Sequence, residues 1–442
     1  MQTPSAHAAS THRHTRVSSG RWLRSAALCG LLAASGPLVA GAATVSFTLL
    51  ADNTTATPGA NDSFHWIYRG HWSGDAVFFQ GWGATGYGGL FSVPATGGAI
   101  TVLVNTQTPI PGGSGPFTSF NFINSGCDEP LADNRFLYFP GERSTGLYKV
   151  PRAGGNVVRL ADLNTPIPAG PVDGYATFPN YCYLSPGDRA PLLFSSLGWT
   201  GIGIFRSLGR GDQTEAVVDN NTVFNQPPCD IFRCTNHRYP DASGSTAVYM
   251  VGNDFGMQAI LSEGDVPLVT TLTQLPGGYP AINLGRPSIS GQRVVFHASD
   301  TLSVHRGIHA VNLGSKAVST IVDASDPVPG QPNHRWTDFY QYQAVGRNGT
   351  LFSAASCPVD GNGNCTSVGE TSVYVACGKQ VVELLRHGGL VDGRPVTVGT
   401  QALGRAQVRT VAGGGKKLEV PLAAIGPVMF GLTATDLPRS CL

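Results

Sequence analysis

Three short segments gather the side chains that can recognise or transform a charged ligand. Phe64-His65-Trp66-Ile67-Tyr68-Arg69-Gly70-His71-Trp72 carries His65, Arg69 and His71 among aromatic residues. Asn236-His237-Arg238-Tyr239-Pro240-Asp241 offers His237, Arg238 and Tyr239, and Asn333-His334-Arg335-Trp336-Thr337-Asp338 offers His334, Arg335 and Trp336. An arginine fork holds a carboxylate through two parallel bonds, an imidazole moves protons near neutral pH, and an aromatic face packs on a sugar ring. An anionic polysaccharide lyase needs those parts: a cation to neutralise the uronate, and a His or Tyr base. The same residue types also make hydrogen bonds between packed elements or decorate a rim. That structural use is the commoner one unless the three segments converge.

Other chemistries find less support. Asp360-Gly361-Asn362-Gly363-Asn364 matches the first half of a calcium loop, but Cys365 follows in place of glycine and Thr371 stands where a glutamate would complete the site. A polar turn closed by Cys357–Cys365 is the expectation, with no metal and no cofactor. Nucleophile motifs of the G-x-S-x-G type, H-E-x-x-H and a phosphate loop are not present. A formal charge of +1, from 29 basic and 28 acidic residues, with no basic block after the first forty residues, argues against a nucleic-acid partner.

The elements that must position these residues are strands. Glycine (57) and proline (31) are abundant in the 442 residues and only 13 % are charged, which suits many short strands joined by tight turns. Residues 1–42 differ. Arg16, Arg21 and Arg24 precede the apolar run Ala26–Leu38 and then Ala40-Gly41-Ala42, the layout of a signal peptide cleaved near Ala42/Ala43. The run is too short, and too interrupted by Gly30, Gly36 and Pro37, to span a bilayer core of about 30 Å. Leu28 before Cys29 argues against a lipoprotein. A secreted or periplasmic protein with no membrane span after cleavage is expected.

Eight cysteines follow the leader: Cys127, Cys182, Cys229, Cys234, Cys357, Cys365, Cys377 and Cys441. An even number behind a signal peptide reads as disulfides, and the spacings do not make a good zinc pattern. Close spacing favours Cys229–Cys234 and Cys357–Cys365; the other four can pair as Cys127–Cys182 and Cys377–Cys441.

The chain repeats. Val104-Asn105-Thr106-Gln107-Thr108-Pro109-Ile110-Pro111-Gly112-Gly113 returns as Ala161-Asp162-Leu163-Asn164-Thr165-Pro166-Ile167-Pro168-Ala169-Gly170, again at 51–59 and 322–330, and in weaker form three more times, at 218–222, 275–278 and 387–393. The markers Pro58, Pro111, Pro168, Asn225, Pro276, Pro329 and Gly393 stand 53, 57, 57, 51, 53 and 64 residues apart. Between markers lie four strand-like runs. The first is aromatic (Phe117-Thr118-Ser119-Phe120-Asn121-Phe122), the second apolar (Ala76-Val77-Phe78-Phe79), the third begins at glycine (Gly89-Leu90-Phe91-Ser92-Val93), and the fourth runs into the proline loop. Four strands per unit of this length is the signature of a propeller blade. The last unit has first, second and third strands at Val396–Leu403, Lys417–Pro421 and Gly431–Asp436, but no fourth. The orphan strand Thr44–Asp52 supplies it. An all-β, seven-bladed β-propeller over 43–442, closed by its N-terminal strand, is therefore expected.

With its D/N-x-x-T-P-I-P-G-G loops at 105–113 and 164–170 and its Asn348-Gly349-Thr350-Leu351-Phe352 segment, the unit resembles the tandem repeat of uncharacterised secreted bacterial proteins of the NxxGxxxAF or choice-of-anchor type. The resemblance covers nearly all of 43–442 and implies no reaction. The final Pro438-Arg439-Ser440-Cys441-Leu442 has no apolar anchor, so release is expected. Function is then expected to be that of a monomeric binding module for a glycan or an extracellular protein. A carbohydrate-active enzyme such as a uronate lyase is the alternative. The loops that run from one blade to the next should line one mouth of the central channel.

Overall fold

The repeated D/N-x-x-T signal has a local physical cause. In the computed structural model, five copies end the outer strand of a blade with a reciprocal pair of side-chain bonds. Asp52 Oδ1 accepts the N–H of Thr54 at 2.9 Å, and the Asp52 N–H donates to Thr55 Oγ1 at 2.9 Å. The same exchange recurs at Asn105/Thr108, Asp162/Thr165, Thr270/Thr273 and Asp323/Asp326. Short polar side chains that bond their own backbone two or three residues on compete with the ladder and stop the strand there. The chain then turns back towards the axis.

The structure describes residues 43–120, 130–141, 145–166, 175–177, 192–198, 201–207, 213–218, 236–252, 257–264, 266–300, 305–412, 414–424, 426–438 and 441–442. They form a seven-bladed β-propeller of four-stranded antiparallel blades. Residues 1–42, the marker loops around Pro168 and Asn225, and Cys127, Cys182, Cys229 and Cys234 lie outside the described residues.

Inner to outer, blade one is Phe64–Ser73, Ala76–Gly83, Gly88–Pro94 and Thr101–Asn105. The inner strands of the next blades are Leu131–Ala132 in blade two, Tyr175–Thr177 in blade three and Asn236–Ser243 in blade four. Blade five has a broken inner strand, Asn283–Leu284 and Ser288–Ser290, and blade six a long one, His334–Val345. Blade seven runs Val398–Leu403, Lys416–Ala424, Val428–Thr435 and then Thr44–Ala51, which pairs antiparallel with Val428–Thr435 from Thr44↔Thr435 to Ala51↔Met429.

A blade cannot cover its own two faces, so apolar side chains collect between blades. Leu50, Ala51 and Met429 of blade seven pack with Trp72, Val77 and Phe79 of blade one. Val269, Leu268 and Ile260 of blade four meet Ile289, Val294 and Phe296 of blade five. Blades five and six share Val295, Ile308, Trp336 and Phe352, and blades six and seven share Leu351, Val373, Leu418 and Val420. Where the backbones of blades seven and one come closest, Arg405 N donates to Gly70 O at 2.9 Å and Trp72 N to Arg405 O at 3.0 Å. Gly404 is required there, because a Cβ on it would run into the Gly70 carbonyl.

One strand assignment changes. Phe117 and Phe120 are not in a strand; both are fully buried plugs against Phe139, and Phe117 packs also on Tyr148. The inner strand of blade two is the short Leu131–Ala132, and the aromatic run feeds the core between blades instead of the sheet. The Cys357–Cys365 and Cys377–Cys441 disulfides are present, and Asp360 spends its carboxylate on the N–H groups of Asn362 and Asn364 inside the first loop. Disulfides are compatible with an oxidising compartment. Among the described residues, no helix is long and apolar enough to cross a membrane.

Candidate functional site

The inner strands of blades one, four, five, six and seven are irregular in their pairing with the next strand. In blade one, Ile67 and Gly70 pair with Gly81 and Phe79, so three steps on the inner strand face two on its neighbour. Blade four repeats this at Arg238 and Asp241, and blade six at Phe339 and Tyr342. Blade five breaks its strand between Leu284 and Ser288 with one residue in excess, and blade seven is irregular between Val398 and Leu403. A bulge of this kind leaves its extra residue outside the ladder, bends the strand and re-aims side chains. Tyr239 in blade four takes φ of 57°, a conformation costly for a bulky residue and met mainly where the surroundings enforce it.

The bulge residues of four consecutive blades share one pocket of about 350 Å3: Arg69 from blade one, Arg286 from blade five, Tyr340 and Gln341 from blade six, and Thr400 and Gln401 from blade seven. Asp338 also lines it and lies 3.9 Å from Arg306. Burial, reinforced by Asp338 and opposed by Arg306, pushes the Tyr340 phenol up. Burial raises Tyr68 as well. Both therefore stay protonated near neutral pH and can donate.

Deeper in the channel the blades are laced together. Gln341 Nε2 donates to Leu403 O at 3.1 Å while its Oε1 accepts Leu403 N–H at 2.8 Å; Gln343 does the same with Gly404 O and Ala406 N–H at 2.9 and 3.0 Å. Tyr342 donates to Arg286 O at 2.6 Å. Arg405 of blade seven donates to Asp241 of blade four at 3.0 Å, and Asp241 also accepts from Ile289 N at 2.9 Å and Ser288 Oγ at 3.2 Å. These groups border a smaller space of about 140 Å3 that shares Arg286 and Gln341 with the pocket above it.

The nine residues singled out from sequence do not form one cluster. Arg69, only 7 % exposed, is the one that lines the channel pocket. His71 lies deeper, its Nδ1 accepting Ala132 N–H at 2.7 Å; burial first, then Arg405 and Arg152, hold its pKa well below 6.5. His237 is fully buried, and Arg238 and Tyr239 are half-buried on the same inner strand. His65 is exposed with its ring edge to Trp66, 5.3 Å between centroids. His334 is half-buried at the start of the blade-six inner strand. Arg335 is exposed and donates to Cys365 Sγ at 3.4 Å. Trp336 belongs to the core, 4.9 Å from the Tyr374 ring.

Arg286, Tyr340, Gln341, Thr400, Gln401 and the Asp241–Arg405 pair were not singled out. Their signal was weak but present: Tyr68, Tyr239 and Tyr340 each open a bulge, although their neighbours Arg69, Pro240 and Gln341 share no residue type. Among the described residues, no group of three or more His, Cys, Asp or Glu side chains is placed to hold a metal ion.

No protein-family model and no curated protein matches the chain. Among solved structures it is similar to an oligogalacturonate lyase in complex with manganese, at 12 % identity and a TM-score of 0.48 over 90 % of this chain and 97 % of that one. It is similar also to the β-propeller domain of the Trilobed protease from Pyrococcus furiosus (10 % identity, TM-score 0.44, 85 % and 96 % covered) and to the Dos1 propeller (10 %, 0.43, 88 % and 95 %).

Proposed function

We propose that this protein is a secreted binding module that takes a carboxylate-bearing, hydroxyl-rich ligand, of the acidic-sugar class, in the bulge-lined channel pocket. One observation carries the reading. Bulges in blades one, five, six and seven bring Arg69, Arg286, Tyr340, Gln341, Thr400 and Gln401 around one concavity. Two guanidinium groups from blades on either side suit a carboxylate, and the amides, hydroxyl and phenol suit sugar hydroxyls. A rigid ring that presents such groups needs little rearrangement to bind.

The enzymatic alternative, a lyase on uronate-containing glycan, needs a base ready to accept a proton near neutral pH. Tyr340 is shifted the wrong way for that role, and none of the residues lining this pocket is histidine. Binding is accordingly the better-supported reading. Titration calorimetry with tri- and tetragalacturonate tests it, against the neutral tri- and tetragalactose. The acidic oligomers should bind, and Arg69→Met or Arg286→Met should weaken them at least about tenfold, the loss expected for a charge-assisted bond. Equal affinity for neutral and acidic sugars, or none for either, overturns the assignment. Appearance of an unsaturated product in the same mixtures would favour the lyase instead.

A further inference from the structure

A second concavity shares no lining residue with the channel pocket. It is a groove of about 890 Å3 between blades five and six, rimmed by the turns at Gly291, Gly346 and Gly378. Its charge is one-sided: Arg293, Arg347 and Lys379 line it and no Asp or Glu does. Arg293 Nη1 donates to Gly349 O at 2.8 Å and Nη2 to Thr350 Oγ1 at 2.7 Å, both neutral acceptors. Burial alone draws its guanidinium down to about 10. Among the described residues, none of the three cations makes an ion pair. Leu442 ends against Gly346 at the margin but does not line the groove.

Elsewhere the protein pairs its part-buried arginines with carboxylates, as in Arg206 with Glu215 and Glu263, or Arg409 with Glu419. A part-buried cation that meets only neutral acceptors keeps much of its field, and low-dielectric walls focus that field into the groove. The floor is aliphatic, from Ala310, Val311 and Ile321, and no aromatic side chain lines the groove. A sugar would find no ring to stack on. An extended peptide fits better, because side chains alternate along it: acidic ones can reach the cations while small apolar ones cover the floor.

We propose that the groove between blades five and six binds an acidic peptide segment in extended conformation. The claim is independent of the channel pocket. It is tested on the whole chain by fluorescence anisotropy with a labelled (Glu-Val)4 peptide, the matching (Lys-Val)4 peptide, and tetragalacturonate as competitor. The acidic peptide should bind and the basic one should not, and affinity should fall as salt rises. The double variant R347S/K379S, altered only at exposed turn positions, should keep its melting temperature and lose at least tenfold in affinity. A salt-independent affinity, unchanged binding by the double variant, or no binding by the parent chain overturns the proposal. Displacement by tetragalacturonate as effective as by unlabelled peptide would likewise overturn it, making the groove a site for polyanions in general.

Discussion

Arg405 and Asp241 are 164 positions apart in sequence and three blades apart in the propeller, yet the Arg405 guanidinium donates to the Asp241 carboxylate at 3.0 Å across the channel. The side chains keep 27 % and 11 % exposure, so the pair is neither a surface decoration nor sealed from water. Because Asp241 also accepts from blade five and the Arg405 backbone is bonded to blade one, a single contact ties together four blades. Replacing Arg405 by Met leaves a part-buried carboxylate short of its cation. The expected cost is about 2 kcal/mol, between the values for exposed and buried pairs. Urea unfolding should show this, and a double-mutant cycle with Asp241→Asn should return a coupling of roughly 1 kcal/mol. Additive single effects would mean that the two residues stabilise the ring separately.

The N-terminal strand offers a second test. Thr44–Ala51 is the outer strand of a blade whose other strands come from the end of the chain, and Leu50 and Ala51 join the cluster shared with blade one. If that strand holds the ring shut, deleting 44–52 strips the edge of Val428–Thr435 and opens the cluster around Trp72. We expect the deletion to abolish cooperative thermal unfolding followed by circular dichroism. An undiminished transition would show that the ring holds without it.

The repeated turns mark how much of the molecule was legible in the sequence. Blade number and most strand positions could be read because turn chemistry recurs locally: Asp52, Asn105 and Asp162 each bond within three residues. The inner strand of blade two was misassigned because Phe117 and Phe120 have the composition of a strand, while their burial between blades depends on partners such as Phe139 that lie further along the chain. The channel pocket was mostly hidden for a related reason. Arg69 stood out beside aromatics and histidines, whereas Arg286 and Gln401 sit in ordinary-looking segments, and only the excess of residues over the neighbouring strand, one in blade five and three in blade seven, brings such positions to the pocket. Register is a property of pairs of strands, which a single strand's composition does not disclose.

The two described disulfides should differ in what they contribute. Cys377–Cys441 closes a separation of 64 residues and Cys357–Cys365 one of 8. Constraining the unfolded chain across the longer loop stabilises by about 4 kcal/mol on the loop-entropy estimate, against roughly 2.5 kcal/mol for the shorter. The C377A/C441A double variant should therefore lower the urea midpoint more than C357A/C365A does. A reversed order would mean that contacts of the 358–364 turn, not chain entropy, set the larger contribution.

Acid should destabilise the propeller in a window set by buried imidazoles. His309 is fully buried, with Tyr279 Oη 3.2 Å from Nε2 and Thr320 Oγ1 3.3 Å from Nδ1. Burial first, then His297 and Lys379, against an upward pull from Asp323, bring it from 6.5 to about 4. Between those values the unfolded chain holds a proton that the folded one does not, so stability rises with pH. The contribution is complete above about 6.5 and lost as pH falls through about 4. A difference of about 2.5 units corresponds to roughly 3 kcal/mol. His297 and His71 are shifted down by burial as well and add slope of the same sign. Asp52, raised by burial but held at about 2 by Thr54, Thr55 and Arg394, acts only in stronger acid. Urea midpoints between pH 7 and 4 should thus fall for the parent chain and fall less for His309→Gln, whose neutral amide takes up no proton in that range. A variant profile as steep as the parent's would move the effect from His309 to the other two imidazoles.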